Sequence, residues 1–185
     1  MLAATQLAHH LVRAALKPGA WVVDATLGNG FDTLFLAECV GATGRVFGFD
    51  VQAAALAATA ERVRGLPQVT LIESGHERLR ERLPRDAEGR LAAVMFNLGY
   101  LPGAPKDVTT TSPTTLDAMD QALDLLSVGG LITMVLYRGH PGGEAESDGV
   151  LARAERLPSN FAASLTQRVN AASPAPALLV IERLR

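Results

Sequence analysis

The chain has a single cysteine, Cys39, among its 185 residues. An intrachain disulfide is therefore excluded, and no cysteine-based metal site is expected. Aromatic residues make up only 5%, and neither charge sign dominates: 17 basic against 19 acidic side chains leave a formal net charge of −2. The average charge gives no global basic signature, so a nucleic-acid substrate, if there is one, must be held by a local patch. No segment approaches the roughly 18 apolar residues of a membrane span, and the N-terminus lacks the basic start and long apolar run of a signal peptide. The expectation is a soluble, cytoplasmic protein with no membrane partner. What is abundant is alanine, leucine and valine within a 48% hydrophobic chain. That supply suits one domain over residues 1–185 with a sizeable core.

The organising stretch is Trp21-Val22-Val23-Asp24-Ala25-Thr26-Leu27-Gly28-Asn29-Gly30-Phe31-Asp32-Thr33. A short apolar run reads as a buried strand, two glycines as a turn, and the apolar-periodic segment from Phe31 as a helix. Glycines allow close backbone approach to a ligand, and the free amides of a helix start favour polar or anionic groups. Asp50 ends a second apolar strand, Arg45 to Asp50, 22 residues beyond Gly28. An acid about 20 residues past the glycine turn suits a ribose diol, because a carboxylate accepts two hydroxyl hydrogen bonds. The dinucleotide fingerprint wants a third Gly or Ala where Thr33 stands, and Asp32 would repel a pyrophosphate. Asp24 and Asp32 fit a cofactor with an amino group and a sulfonium, so S-adenosylmethionine suits the turn better than NAD.

Residues 1–17 read as a leading helix that packs on the sheet or caps the cofactor pocket, stopped by Lys17-Pro18-Gly19. Further strands are expected at Gln68 to Glu73, Leu91 to Phe96, Leu131 to Tyr137, Phe161 to Val169 and Leu178 to Glu182. Val128-Gly129-Gly130 reads as a helix stop before the fifth strand. Strand and helix alternate with short links, which predicts an α/β, doubly wound, mostly parallel seven-stranded sheet. The last two strands have no helix between them and predict an antiparallel edge hairpin. Ligands in such sheets bind at the carboxyl ends of the strands. Five polar or glycine-rich tips fall there: Gly28 to Asp32, Asp50, Ser74 to Glu77, Asn97 to Tyr100 and Tyr137 to His140. They predict one continuous site.

Ser74-Gly75-His76-Glu77 either holds the adenine edge or caps a short helix, with Ser74 or His76 opening it and Glu77 near its positive end. Asn97-Leu98-Gly99-Tyr100 has the shape of the Asn/Asp-Pro-Pro-Tyr signature of nitrogen methyltransferases. In that signature the carboxamide and backbone carbonyls aim an amine, and an aromatic ring stacks on a base. Leu98-Gly99 replaces the two prolines, which points either to a changed backbone or to a target that is not a planar base amine, while a plain strand-to-turn link is the structural alternative. His140 in the glycine-rich loop Tyr137 to Gly143 can take a proton near neutral pH, and Arg138 can meet a phosphate. Arginines 78, 80, 82, 85 and 90 form the densest basic stretch, diluted by acidic neighbours, so a solvated face is the default.

Several blocks together resemble the MnmM/YtqB family, formerly labelled rRNA methylases. They are Asp24-Ala25-Thr26-x-Gly28-Asn29-Gly30-x-Asp32-Thr33, Phe47-Gly48-Phe49-Asp50-Val51-Gln52, Ser74-x-His76-Glu77, Phe96 to Gly103, and Tyr137-x-Gly139-His140-Pro141-x-Gly143. The match runs in order over nearly the whole chain and includes the tail Asn170 to Glu182. It departs at Leu27, where a small residue is expected, at the intervening Gly75, and at Ala177, which replaces an aromatic. The resemblance implies a Rossmann-like class I methyltransferase using S-adenosylmethionine, releasing S-adenosylhomocysteine and needing no metal. It also implies that the substrate is the wobble 5-aminomethyl-2-thiouridine of a tRNA anticodon stem-loop, converted to its methylaminomethyl form, and that the protein is a homodimer.

With the resemblance, the residues take the following expected roles. Asp50 holds the ribose, Asn29 and Asp32 the methionine end, and His76 or Glu77 the adenine side. Asp24, Thr26, Gly28, Gly30, Gln52 and Asn97 complete the cofactor site. Asn97 and the Leu98 carbonyl orient the amine, Tyr100 packs on the uridine, and His140 accepts or relays a proton; these three side chains are the catalytic candidates. Gly99, Tyr137 and Arg138 join Leu98, Tyr100 and His140 on the substrate side. Three rivals stay open: an rRNA or small-amine methyltransferase, an NAD-linked oxidoreductase, and a cofactor-sensing module without catalysis.

Overall fold

The computed structural model describes residues 3–99, 109–171 and 175–185. Tyr100, with the rest of the 100–108 segment, lies outside the described residues. Seven strands form one sheet: β1 (Trp21–Asp24), β2 (Arg45–Asp50), β3 (Val69–Glu73), β4 (Leu91–Asn97), β5 (Leu126–Leu136), β6 (Phe161–Thr166) and β7 (Ala177–Arg183). Their order is β3-β2-β1-β4-β5-β7-β6, with β1 to β5 parallel and β7 antiparallel to both its neighbours. The expected hairpin is present, but the later strand lies inside it and β6 forms the edge.

Side chains alternate between the two sheet faces, as a pleated strand requires. Val22, Val46, Ala93, Met95, Val135 and Leu178 point to one face, where α1 (Ala4–Ala15) and α2 (Phe31–Val40) cover them. Trp21, Val23, Phe49, Phe96, Ile132 and Met134 point to the other, under α5 (Ser112–Leu125), α6 (Gly143–Ala154) and the short α4 (Leu79–Arg82). The remaining helix, α3 (Ala53–Arg62), packs beside β2, β3 and α2. Helices on both faces leave the carboxyl ends of the strands open as the one rim where polar groups can gather.

The fifth strand begins five residues earlier than the glycine pair implies. Helix α5 stops at Leu125, and Leu126 already pairs with Leu91; the register then slips so that Ala93 faces Leu131. Gly129, at φ +77°, makes that slip possible. A Cβ on Gly130 would sit 2.9 Å from the Leu91 carbonyl oxygen. The glycines are therefore a bulge inside β5, not a helix stop. At the other end of the chain β6 finishes at Thr166, short of the expected Val169. No helix among the described residues is long and apolar enough to cross a membrane.

Candidate active site

Strand order reverses between β1 and β4, and the crevice at that point opens into a cleft of about 900 Å³. This is the size and place of a ligand site in a doubly wound sheet. All five polar tips reach it. Thr26, Gly28, Asn29, Asp32, Asp50 and Gln52 line the β1–β2 side; His76 and Glu77 come from the β3 tip. Asn97, Leu98 and Gly99 follow β4, and Tyr137, Arg138 and His140 follow β5.

The glycine turn is fixed from three directions. Asp50 accepts the Gly28 N–H at 3.1 Å and the Gln52 N–H at 2.9 Å, one on each carboxylate oxygen. Thr59 on α3 donates its hydroxyl to the Gly28 carbonyl at 3.0 Å. Gly30 opens α2 at φ +77°, and a Cβ there would lie 2.7 Å from the Thr59 hydroxyl oxygen, so no larger residue fits. Gly30 thus faces α3 and does not line the cleft. Asp24 is likewise not on the cleft wall. It is fully buried under the turn, accepting the Thr33 hydroxyl at 2.6 Å and the Thr26 N–H at 3.2 Å. Both residues shape the turn from behind the cleft wall. Burial, and then the neighbouring charge of Asp32, push the Asp24 carboxyl up to about 7.

His76 is buried, and its Nδ1 lies 3.2 Å from the Ala25 carbonyl oxygen. A carbonyl only accepts, so Nδ1 carries the proton and Nε2 is an acceptor. Burial also holds the imidazole below its ordinary pKa, favouring this neutral form. Nε2 has no hydrogen-bond partner. The helix-cap alternative holds in part: His76 opens the 3₁₀ turn His76–Arg78 with Glu77 in its first turn, but no side chain caps it, and Ser74 donates to the Gly75 carbonyl instead. At the β4 tip, Asn97 Oδ1 is a second buried acceptor without a partner.

Several cleft residues carry no clear signal in the sequence. His9 on α1 bonds Asp32 at 2.6 Å and stacks on Phe35, so the leading helix packs on the sheet and backs Asp32 on the cleft wall. Phe31 stays 62% exposed at the mouth, with the Arg62 guanidinium 3.8 Å from its ring centre. Thr109, Thr110, Thr111 and Thr114 also line the cleft. Arg138 is engaged by Asp148, so its charge is already shared before any phosphate arrives. In the basic stretch Arg78 pairs with Glu81, Arg80 with Asp124, and Arg90 with Asp86, as a solvated face would. Among the described residues no cluster of three or more His, Cys, Asp or Glu side chains is placed to hold a metal.

Residues 46–182 match the family described as "Putative rRNA methylase". The chain belongs to this family. It is 39% identical over 166 residues to the chloroplastic tRNA (mnm5s2U34)-methyltransferase of Arabidopsis thaliana, covering 84% of this chain and 60% of that protein's length. A solved structure of the family from Clostridium thermocellum superposes with a TM-score of 0.94 at 38% identity, covering 99% of this chain and 98% of the other. A Streptococcus mutans methyltransferase, solved in complex with S-adenosylhomocysteine, superposes at 0.89 with 34% identity over 100% of this chain and 99% of that one. The fold is that of class I methyltransferases dependent on S-adenosylmethionine. The cleft fits that cofactor: a carboxylate at the β2 tip for a diol, acidic Asp32 for an ammonium, and the buried acceptor His76 Nε2 toward the β3 side.

Proposed function

We propose that this family member methylates the aminomethyl nitrogen of 5-aminomethyl-2-thiouridine at the tRNA wobble position. The observation that carries the reading is Asn97 Oδ1: a buried acceptor, without a partner, on a residue lining the cleft where β1 and β4 part. Such an atom is costly unless a bound group donates to it, and an amine N–H is such a donor. The 39% identity to a protein whose name carries mnm5s2U34, the methylaminomethyl form at the wobble position, supports a reading in which that form is the product.

Bound S-adenosylmethionine supplies a methyl group made electrophilic by its sulfonium. The chain supplies position. Asp50 accepts from the ribose hydroxyls while its backbone bonds keep the carboxylate aimed, and Asp32 faces the methionine ammonium. Asn97 Oδ1 and the Leu98 carbonyl accept the two N–H bonds of the neutral amine, which turns its lone pair toward the methyl. An alkylamine is mostly protonated at neutral pH, so a base must take that proton first. His140, on the β5 side of the cleft, is the residue we assign to it. Holding two reactants in line is worth roughly 7 kcal/mol or more in favourable cases, and a leucine-glycine pair leaves room for a nitrogen that projects from the ring. Tyr100 is our candidate to pack on the uridine, and a homodimer, checked by light scattering, belongs to the same proposal.

The test is mass spectrometry of digested tRNA after incubation with the protein and labelled S-adenosylmethionine, using tRNA from cells arrested at the aminomethyl stage. One added methyl on that nucleoside is expected. Label on rRNA or a small amine alone, with S-adenosylhomocysteine still bound, would move the acceptor to the rival class.

A further inference from the structure

Neither the threonines that follow the Asn97 block nor Glu146 on α6 belongs to any motif of the sequence. In the fold they form one hydrogen-bonded chain. Glu146 is 2% exposed. One of its oxygens accepts the Thr115 hydroxyl at 2.6 Å and the other the Thr110 hydroxyl at 2.9 Å. Thr110 Oγ1 in turn accepts the Gly99 N–H at 2.9 Å. The Gly99 carbonyl closes the circuit, accepting the Thr110 N–H and the Thr109 hydroxyl, both at 2.9 Å.

From this we infer that Glu146 is a positioning residue: acting through Thr110, it fixes the Leu98–Gly99 backbone that seats the methyl-accepting nitrogen. The inference rests on the proposed function for what that backbone does, though not for the hydrogen-bond chain itself. A carboxylate has no proton to give, so it forces the Thr110 hydroxyl hydrogen toward α6 and leaves the oxygen lone pairs for Gly99. The hydroxyl's orientation is thereby set. Gly99 needs such a hold because its φ of +136° lies where only glycine is at ease and the backbone has many alternatives. An apolar residue at 146 would pack α6 on α5 without the cost of burying a carboxyl; the polar choice yields a directed contact instead. The same helix also anchors the other wall of the acceptor end. Gly143 at its start donates to the His140 carbonyl at 3.0 Å, so one element sets both the Gly99 turn and the His140 loop.

The test compares Thr110→Val, Thr110→Ser and Glu146→Gln with wild type in three readouts: amide exchange of Gly99 by NMR, affinity for S-adenosylhomocysteine, and kcat and KM on aminomethyl-uridine tRNA. Thr110→Val should speed Gly99 exchange about tenfold, the equivalent of one lost hydrogen bond, and lower kcat by roughly 10²-fold, as an ångström of misplacement does. Cofactor affinity should stay within about twofold of wild type, since the site's other end is untouched. Thr110→Ser keeps the hydroxyl and should restore both exchange and kcat. Glu146→Gln should act in the same direction, and the double variant with Thr110→Val should be no worse than Thr110→Val alone. Unchanged Gly99 exchange in Thr110→Val, or additive losses in the double variant, overturns the inference. Accelerated exchange with an unchanged kcat overturns it too. Wild-type protein that leaves aminomethyl uridine untouched overturns the proposed function, while the exchange comparison, which needs no substrate, still decides the chain from Glu146 to Gly99.

Discussion

Thr26 Oγ1 accepts the backbone N–H of Asn97 at 2.7 Å, tying the tip of β1 to the tip of β4 across 71 residues of sequence. The bond spans the crevice where strand order reverses. It therefore couples the glycine turn to the residue that would hold the methyl acceptor. Replacing Thr26 by Val keeps the shape and removes the acceptor, stranding a half-buried N–H at a cost of roughly 1–3 kcal/mol. Calorimetry should show a melting temperature several degrees lower, and Thr26→Ser should recover it.

Asn97→Ala separates acceptor placement from cofactor binding. The carboxamide oxygen has no other partner to lose, so the fold should tolerate the change. Turnover on the aminomethyl substrate should fall by about 10²-fold, the cost of a misplaced reactant, with S-adenosylhomocysteine affinity by calorimetric titration nearly unchanged. An equal loss of both would remove Asn97 from its role.

Asp50→Ala should do the reverse. It takes away the ribose acceptor and the partner of the Gly28 and Gln52 amides together. Hydrogen bonds to charged groups are worth about 1.5–3 kcal/mol each, so affinity for S-adenosylhomocysteine should drop at least tenfold. A dissociation constant within twofold of wild type would show that the diol is held elsewhere.

Asp24 makes stability depend on pH in a direction unusual for a carboxylate. Its folded pKa is raised from 3.8 to about 7 by burial and then by Asp32. Between those values the folded protein keeps a proton that the unfolded chain releases. Its contribution is thus full below the unfolded pKa and is lost as pH rises through the folded one. The melting temperature of wild type relative to Asp24→Asn should decline from about pH 4 to about pH 7 and stay level above. A flat difference across that window would mean Asp24 is ionised throughout.

The glycine turn and Asp50 were legible because a strand, a turn and a helix of ordinary length fix their spacing, and both ends of that unit sit on one rim. The depth of residues within the turn was not legible. Asp24 and Gly30 belong to the motif, but Asp24 turns under it to Thr33 while Gly30 packs on Thr59 of α3, and nothing in the local pattern reports Thr59. The start of β5 was hidden for a different reason: Leu125 ends a helix and Leu126 begins a strand with no polar residue between them, so the glycines that mark a bulge read as the boundary. His9 and Glu146 bond partners 23 and 31 to 36 residues away on other elements. Periodicity gives no hint of such pairs.

The placement of β7 has a consequence for how the chain is made. Among the described residues it comes last in sequence of the seven strands, yet it lies between β5 and β6, and β6 pairs there with β7 alone. While a ribosome is still adding the residues before Ala177, β6 has no neighbour and the flank of β5 is an open row of amides and carbonyls. Such a row invites pairing with another nascent chain. The sheet is thus closed by the final strand dropping into a gap, much as a keystone closes an arch, and chains broken off before it would be the ones that cells must clear.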